Sequence, residues 1–162
     1  MPTLTIETEI NADIKTCFDV ARNIDIHQES LRFSEEKAIA GKISGLISQG
    51  EWVSWEAKHF GVVQHLTSKI TEFDAPYYFV DEMVFGAFKS FKHEHRFREE
   101  NGKTVMTDIF DFKAPYGALG KLANVLFLKR YMFSLLKRRN RFLKEKAEAI
   151  AKNQIGAKLV LS

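Results

Sequence analysis

The tetrapeptide Glu100-Asn101-Gly102-Lys103 constrains this chain more than any other feature. Asn-Gly between two alternating segments predicts a two-residue hairpin turn, because both central residues must take positive φ. Such a turn sets the register of its strands. Glu100 then faces Lys103, Phe97 faces Met106, His95 faces Asp108, His93 faces Phe110 and Phe91 faces Phe112. One face collects Phe91, His93, His95, Phe97, Met106, Asp108, Phe110 and Phe112, and the other collects Lys92, Glu94, Arg96, Arg98, Thr107 and Asp111. Lys92 falls opposite Asp111, a favourable cross-strand pair. A slip of one residue would destroy both patterns.

The remaining elements follow from periodicity. Thr3 to Ile10 alternates, with Leu4, Ile6 and Ile10 on one face, as a half-buried strand does. Asn11 offers an N-cap for a short amphipathic helix carrying Ile14, Cys17, Phe18 and Ala21, and Asn23 offers its stop. Asp25 and Gln28 resemble a capping box for a second short helix with Ile26 and Leu31. Period-two segments then recur at 36–40, 50–59, 62–73, 77–85, 91–98 and 104–112. From 118 to 154 the pattern is helical, with Leu128, Met132, Leu135, Phe142, Leu143 and Ile150 on one stripe and Lys137, Arg141, Lys144 and Glu148 opposite. The stretch 119–136 is apolar almost all round, so its burial is expected. Such a helix would run about 50 Å, so a bend or a late start near Gly120 is expected. Asn153 and Gly156 are the expected stop, and 155–162 is a tail without assigned structure.

Consecutive strands favour hairpins over parallel crossovers. The order predicts one α+β domain spanning 1–162: a curved antiparallel sheet of about seven strands, two short helices after the first strand, and a long C-terminal helix. A sheet curling around one helix leaves a ligand-sized gap. Fourteen Phe among 162 residues supply rings either to fill that interior or to line it.

Composition narrows the classes. A charged fraction of 28% excludes a membrane channel, and no uncharged apolar stretch is long enough to span a bilayer. The single Cys17 excludes a disulfide framework and fits a reducing, cytoplasmic setting. A formal charge of +3 does not indicate nucleic acid. The N-terminus shows no secretory signal. No phosphate loop, nucleotide fingerprint or Ser-His-Asp ordering is present.

The order of elements, together with Gly50-Glu51-Trp52-Val53-Ser54-Trp55-Glu56-Ala57, His93-Glu94-His95-Arg96-Phe97 and Ala114-Pro115-Tyr116-Gly117, resembles the START/SRPBCC superfamily. This is the helix-grip fold of pollen allergens, lipid-transfer START domains and polyketide cyclases. More narrowly, the chain is similar to bacterial SRPBCC-type ligand-binding or cell-division-inhibitor-like proteins. The resemblance implies a pocket and names no ligand.

The residues suggest what such a pocket would hold. Trp55, Phe79, Met83 and Phe85 are inner-face candidates by alternation, with Asp81 on the Phe79 face; the reverse facing through Val80 and Val84 stays open. With Phe91, His93, His95, Met106, Asp108, Phe110, Leu128, Met132, Leu135 and Arg139 they make up the candidate ligand-binding set. His95 and Asp108 form either a satisfied core pair, an anchor for a ligand's polar head, or an acid–base pair with His95 as base. His93 and His95 with Asp108 also resemble a two-His, one-carboxylate set, to which His59 and His65 could add, but their spacing needs no metal, and neither metal nor cofactor is expected. Arg139 on the apolar stripe either snorkels to the rim or offers a cation at the cavity mouth. The run Lys137-Arg138-Arg139-Asn140-Arg141 reads as a solvated face, with contact to anionic lipid surfaces as the alternative.

The expected function is binding or carriage of a small hydrophobic, lipid- or polyketide-like molecule, without catalysis. The alternatives are a cyclase- or dehydratase-type enzyme using His95 and Asp108, and a regulatory interaction module whose cavity its own phenyl groups fill. The expected partner is the small hydrophobic molecule, with no nucleic acid and at most peripheral membrane contact, in a monomer or homodimer.

Overall fold

The computed structural model describes residues 2–114 and 121–161, with side chains of the final helix from Val125 onward. Among these residues, seven strands form one antiparallel sheet: β1 (Thr3–Ile10), β2 (Lys37–Gly41), β3 (Trp52–His59), β4 (Val62–Asp74), β5 (Tyr78–Phe85), β6 (Ser90–Glu100) and β7 (Lys103–Lys113). Two short helices, α1 (Ile14–Ala21) and α2 (Ile24–Ser30), precede a single turn of 3-10 helix at Arg32–Ser34. The long helix α3 (Lys121–Leu161) closes the chain. The spatial order β1-β7-β6-β5-β4-β3-β2 brings the first strand beside the last. The Ala118 start, Gly120 and the Pro115-Tyr116-Gly117 segment lie outside the described residues.

The hairpin register is the one the Asn-Gly turn dictates. His95 pairs with Asp108, Phe97 with Met106 and Glu100 with Lys103. Asn101 and Gly102 both take positive φ, 51° and 75°. Across β3 and β4, Trp55 pairs with Leu66 and Val53 with Ser68, so these four face inward.

Two register shifts interrupt the β4–β5 ladder, and a third the β2–β3 ladder. A bulge adds a residue to one strand and bends it. The shift at Thr67/Ser68 keeps Met83 opposite inward-facing Ser68 but sets Phe85 opposite outward-facing Thr67. Phe85 is accordingly 68% exposed, and the expected inner-face position is corrected. Alternation within one strand does not reveal a bulge in its ladder.

The helices differ from expectation at their ends. Asp13, not Asn11, caps α1, its carboxylate accepting from Thr16 N at 3.2 Å. Asn23 starts α2 rather than stopping α1, its side chain accepting from Ile26 N at 3.0 Å. Gln28 is not part of a capping box; its Oε1 accepts from Ala38 N at 2.8 Å and ties α2 to β2. α3 runs past Asn153 and Gly156 to Leu161, so the expected tail is helical. At about 1.5 Å per residue, a helix of this length outruns the sheet, and the apolar side chains of its last turns, Ile155, Val160 and Leu161 among them, are exposed. The apolar start of α3 is less buried than its composition suggests, with Leu126, Phe127 and Phe133 exposed.

The inward stripe of α3 is Leu136, Arg139, Asn140, Leu143 and Ala147. Its lower part packs with α1 and the sheet into a solid core centred on Phe18. That ring meets Phe73, Phe79 and Phe97 edge-on at 5.4–5.5 Å between centroids. Cys17 lies in this core, and burial pushes its thiol up to about 11, leaving it an inert small hydrophobe. A second cluster forms around Phe91, Phe110, Phe112 and Leu136.

The bend where β2 meets β3 has one position that tolerates no side chain. Gly41 has φ +76°, and a Cβ there would sit 2.3 Å from the Trp52 carbonyl oxygen. Gly41→Ala is therefore expected to cost about 1–3 kcal/mol. A thermal melt checks this, and an unchanged midpoint would show that the turn relaxes.

Candidate functional site

Between the sheet and the upper half of α3 lies a cavity of about 410 Å³. Its walls are mainly apolar: Val53, Trp55, Ile70, Phe91, Phe110 and Leu136 among others. Its rim residues Phe60, His65, Ala87 and Phe127 are exposed, so it opens beside the β3–β4 turn and the start of α3. At this rim His59 Nδ1 hydrogen-bonds Tyr131 Oη, and Phe60 packs on Tyr131 and Phe127 with ring centroids 4.8 and 5.4 Å apart.

The polar groups of the deep wall form one network. His93 Nε2 donates to Asp108 Oδ1 at 2.8 Å. His95 Nε2 donates to Asp81 Oδ2 at 2.6 Å. Asp108 also accepts from Asn140 Nδ2 at 2.6 Å and from Arg139 Nη1 at 3.3 Å. The same Arg139 nitrogen reaches Asn140 Oδ1 at 2.9 Å. The two imidazoles lie 3.8 Å apart by centroid, and His95 stacks on Phe79 at 4.1 Å.

Each protonation preference has a visible cause. Burial alone would raise both carboxylates. Hydrogen bonds from the imidazoles and the charge on Arg139 outweigh it, holding Asp81 below and Asp108 well below the ordinary carboxylate range. Burial, reinforced by the adjacent His95 charge, pushes His93 down to about 4. Burial also pulls on His95, but the two carboxylates beside it prevail and hold it above its ordinary value. Two carboxylates are thus met by one guanidinium and two imidazoles, the kind of mutual pairing that lets charge persist in a dry interior.

Of the sequence candidates, Trp55, Phe79, Phe91, His93, His95, Phe110, Leu128, Met132, Leu135 and Arg139 line the cavity. Met83, Phe85, Met106 and Asp108 do not. Met83 faces inward but packs against the Phe91 cluster. Met106 is fully buried in the Phe18 core. Asp108 sits one layer back, behind the imidazoles. The His95–Asp108 pair takes a different form from the one expected: His95 Nδ1 lies 3.2 Å from Asp108 Oδ1 without hydrogen-bonding geometry, and its Nε2 bonds Asp81 instead.

Arg139 does not snorkel; it is 3% exposed and turned into the network. The basic run is therefore no uniform solvated face. Lys137, Arg138 and Arg141 are exposed, whereas Arg139 and Asn140 are buried. Asn140 escaped the sequence reading, although its place four residues after Leu136 and three before Leu143 puts it on the buried stripe.

The solved structures that resemble this fold share little of its sequence. The protein CV1439 of Chromobacterium violaceum matches with TM-score 0.69 at 8% identity, covering 90% of this chain and 96% of that one. TTHA0849 of Thermus thermophilus matches with TM-score 0.68 at 17% identity, covering 88% and 97%. Ara h 8.0201 matches with TM-score 0.62 at 11% identity, covering 88% and 97%. The architecture these structures share with the chain is the α+β helix-grip fold. No protein-family model matches the chain, and no curated protein matches it in sequence. No described helix is long and apolar enough to cross a membrane.

Asp108 holds the network together, so its removal is expected to be severe. Asp108→Ala leaves His93, Arg139 and Asn140 without their shared acceptor and should cost about 3–5 kcal/mol in urea unfolding. A loss under about 1 kcal/mol would show that the network contributes little to stability.

Proposed function

We propose that the protein binds and carries a small hydrophobic molecule with one hydrogen-bonding end. The observation that carries this reading is the cavity itself: about 410 Å³, mainly apolar, with a hydrogen-bonded polar cluster at its depth. That volume falls within the range of about 300–1,000 Å³ usual for small-molecule sites. Its own phenyl rings do not fill it, which weighs against a module with a solid interior.

The apolar walls provide affinity without chemistry, because each buried CH₂ contributes about 0.8 kcal/mol. The polar wall provides orientation. Asp81, His93, His95 and Arg139 all border the cavity, so a hydroxyl or carbonyl arriving there meets donors and acceptors instead of a hydrocarbon surface. A wholly apolar ligand would leave the remaining hydrogen-bonding capacity of those groups unused. Entry runs past Phe60 and Phe127, whose exposed rings offer a greasy threshold.

Leu135→Trp narrows the cavity from the α3 side, while Phe133→Trp changes an exposed ring on the same helix. A solvatochromic fatty-acid probe is expected to bind the unaltered protein at one site, to weaken at least about tenfold with Leu135→Trp, and to be unaffected by Phe133→Trp. Probe binding that ignores Leu135→Trp, or no saturable binding at all, would end the carrier reading. Native mass spectrometry of freshly purified protein supplies the second check, an added small mass being the expected result.

A further inference from the structure

We propose that Asp81, His93 and His95 form a site for one first-row divalent metal ion, with Asp108 as the carboxylate that orients both imidazoles from behind. The sequence suggested Asp108 as the carboxylate of such a set. The structure puts Asp81 there instead, on a strand two removed from β7.

The three residues are gathered at one point. Asp81 Oδ2 is 2.6 Å from His95 Nε2 and 4.0 Å from His93 Nδ1, and the three candidate ligand atoms all lie within 4.8 Å of one another. In a site with metal–nitrogen and metal–oxygen bonds of about 2.0–2.1 Å, tetrahedral geometry separates ligand atoms by about 3.3 Å. The 2.6 Å contact must therefore open by about 0.7 Å and the 4.0 Å gap close by about as much. Both adjustments are within the reach of a χ rotation. The ion takes the place of the proton that now bridges His95 and Asp81.

The groups behind the ligands point the same way. A carboxylate only accepts, so His93 Nε2 carries the proton in its 2.8 Å bond to Asp108, and the lone pair of the neutral ring falls on Nδ1, facing Asp81. His95 is 2% exposed, and its Nδ1 has no hydrogen-bond partner although the same Asp108 oxygen lies 3.2 Å away. Rotating His95 to ligate through Nε2 would let Nδ1–H complete that bond. Both imidazoles would then back onto one carboxylate, the arrangement that metal-binding histidines use to fix ring tautomer and orientation. Asn140 and Arg139 in turn hold Asp108 in place, with Arg139 offsetting one of the cluster's two negative charges.

The layering separates a metal site from an ordinary salt-bridged core. Asp81, His93 and His95 border the cavity, whereas Asp108 does not. An ion held by the front three would keep an open coordination position toward the cavity, where an oxygen of a bound molecule could complete its shell. Such an ion could bind whichever molecule the cavity carries.

Titration with Co²⁺, followed by ligand-field absorption, and with Zn²⁺, followed calorimetrically, tests the site in the full chain. One ion per chain is expected. Asp81→Asn and His93→Gln should each weaken binding at least about 100-fold, while Glu9→Gln, at an exposed carboxylate paired with Lys103, leaves it unchanged. No saturable binding up to millimolar metal, or binding that survives both substitutions, overturns the proposal. If either variant misfolds, ring-nitrogen NMR of the unaltered protein decides. Zn²⁺ must shift the His93 and His95 resonances, and shifts confined to His27, His59 or His65 overturn it. Probe occupancy of the cavity, read separately, distinguishes failure of the metal site from failure of the carrier reading.

Discussion

A fully buried carboxylate is the constraint on which the rest of this structure hangs. Asp108 has no water to solvate it, and burying an uncompensated charge is prohibitive. Its compensation comes from three directions: His93 on β6, and Arg139 and Asn140 on α3. Asn140 reaches on to Thr8 of β1 at 3.3 Å. One side chain thereby fixes the angular position and the height of the long helix over the sheet. Apolar packing alone would let a helix stripe slide along a greasy surface; a directional network does not. That registry role suits a buried polar group better than a large net contribution to stability.

The cavity follows from the same anchoring. Below Asp108, α3 meets α1 and the Phe18 cluster, and the interior is solid. Above it, sheet and helix are separated by the cavity, and the bulges of β2–β3 and β4–β5 add bend to the strands on that side. The hydrogen-bonded His59 and Tyr131 bring the two back together at the rim. The polar wall and the apolar walls are thus products of one geometry, in which the network marks the place where helix and sheet part.

Much of this was legible from residue order. The β6–β7 register followed from two turn residues, because a period of two leaves no freedom once one pair is known. The inward set from Phe91 to Phe112 followed with it. Phe85 was not legible, since its outward turn comes from a bulge defined by two strands at once. Neither was the reach of α3: Gly156 ends many helices, yet here the helix continues through it to Leu161. Among the functional groups, His93, His95 and Asp108 were found through the hairpin, while the partner of His95 was not. Asp81 enters from β5, whose pairing with β6 carries no turn signature comparable to Asn-Gly. Arg139 was visible on the apolar stripe, but whether it bends outward or inward depends on Asp108, a partner 31 residues away.

The adjacency of β1 and β7 has a consequence in time as well as space. Thr3 lies opposite Asp111, a sequence separation of 108 residues, so the first strand has no permanent neighbour until the last one exists. Closing so long a loop is slow compared with forming the local hairpins between β3 and β7. A chain emerging in order from the ribosome would hold Leu4, Ile6 and Ile10 exposed through most of its synthesis. The topology thus favours early assembly of the β3 to β7 meander, with β1 joining it late.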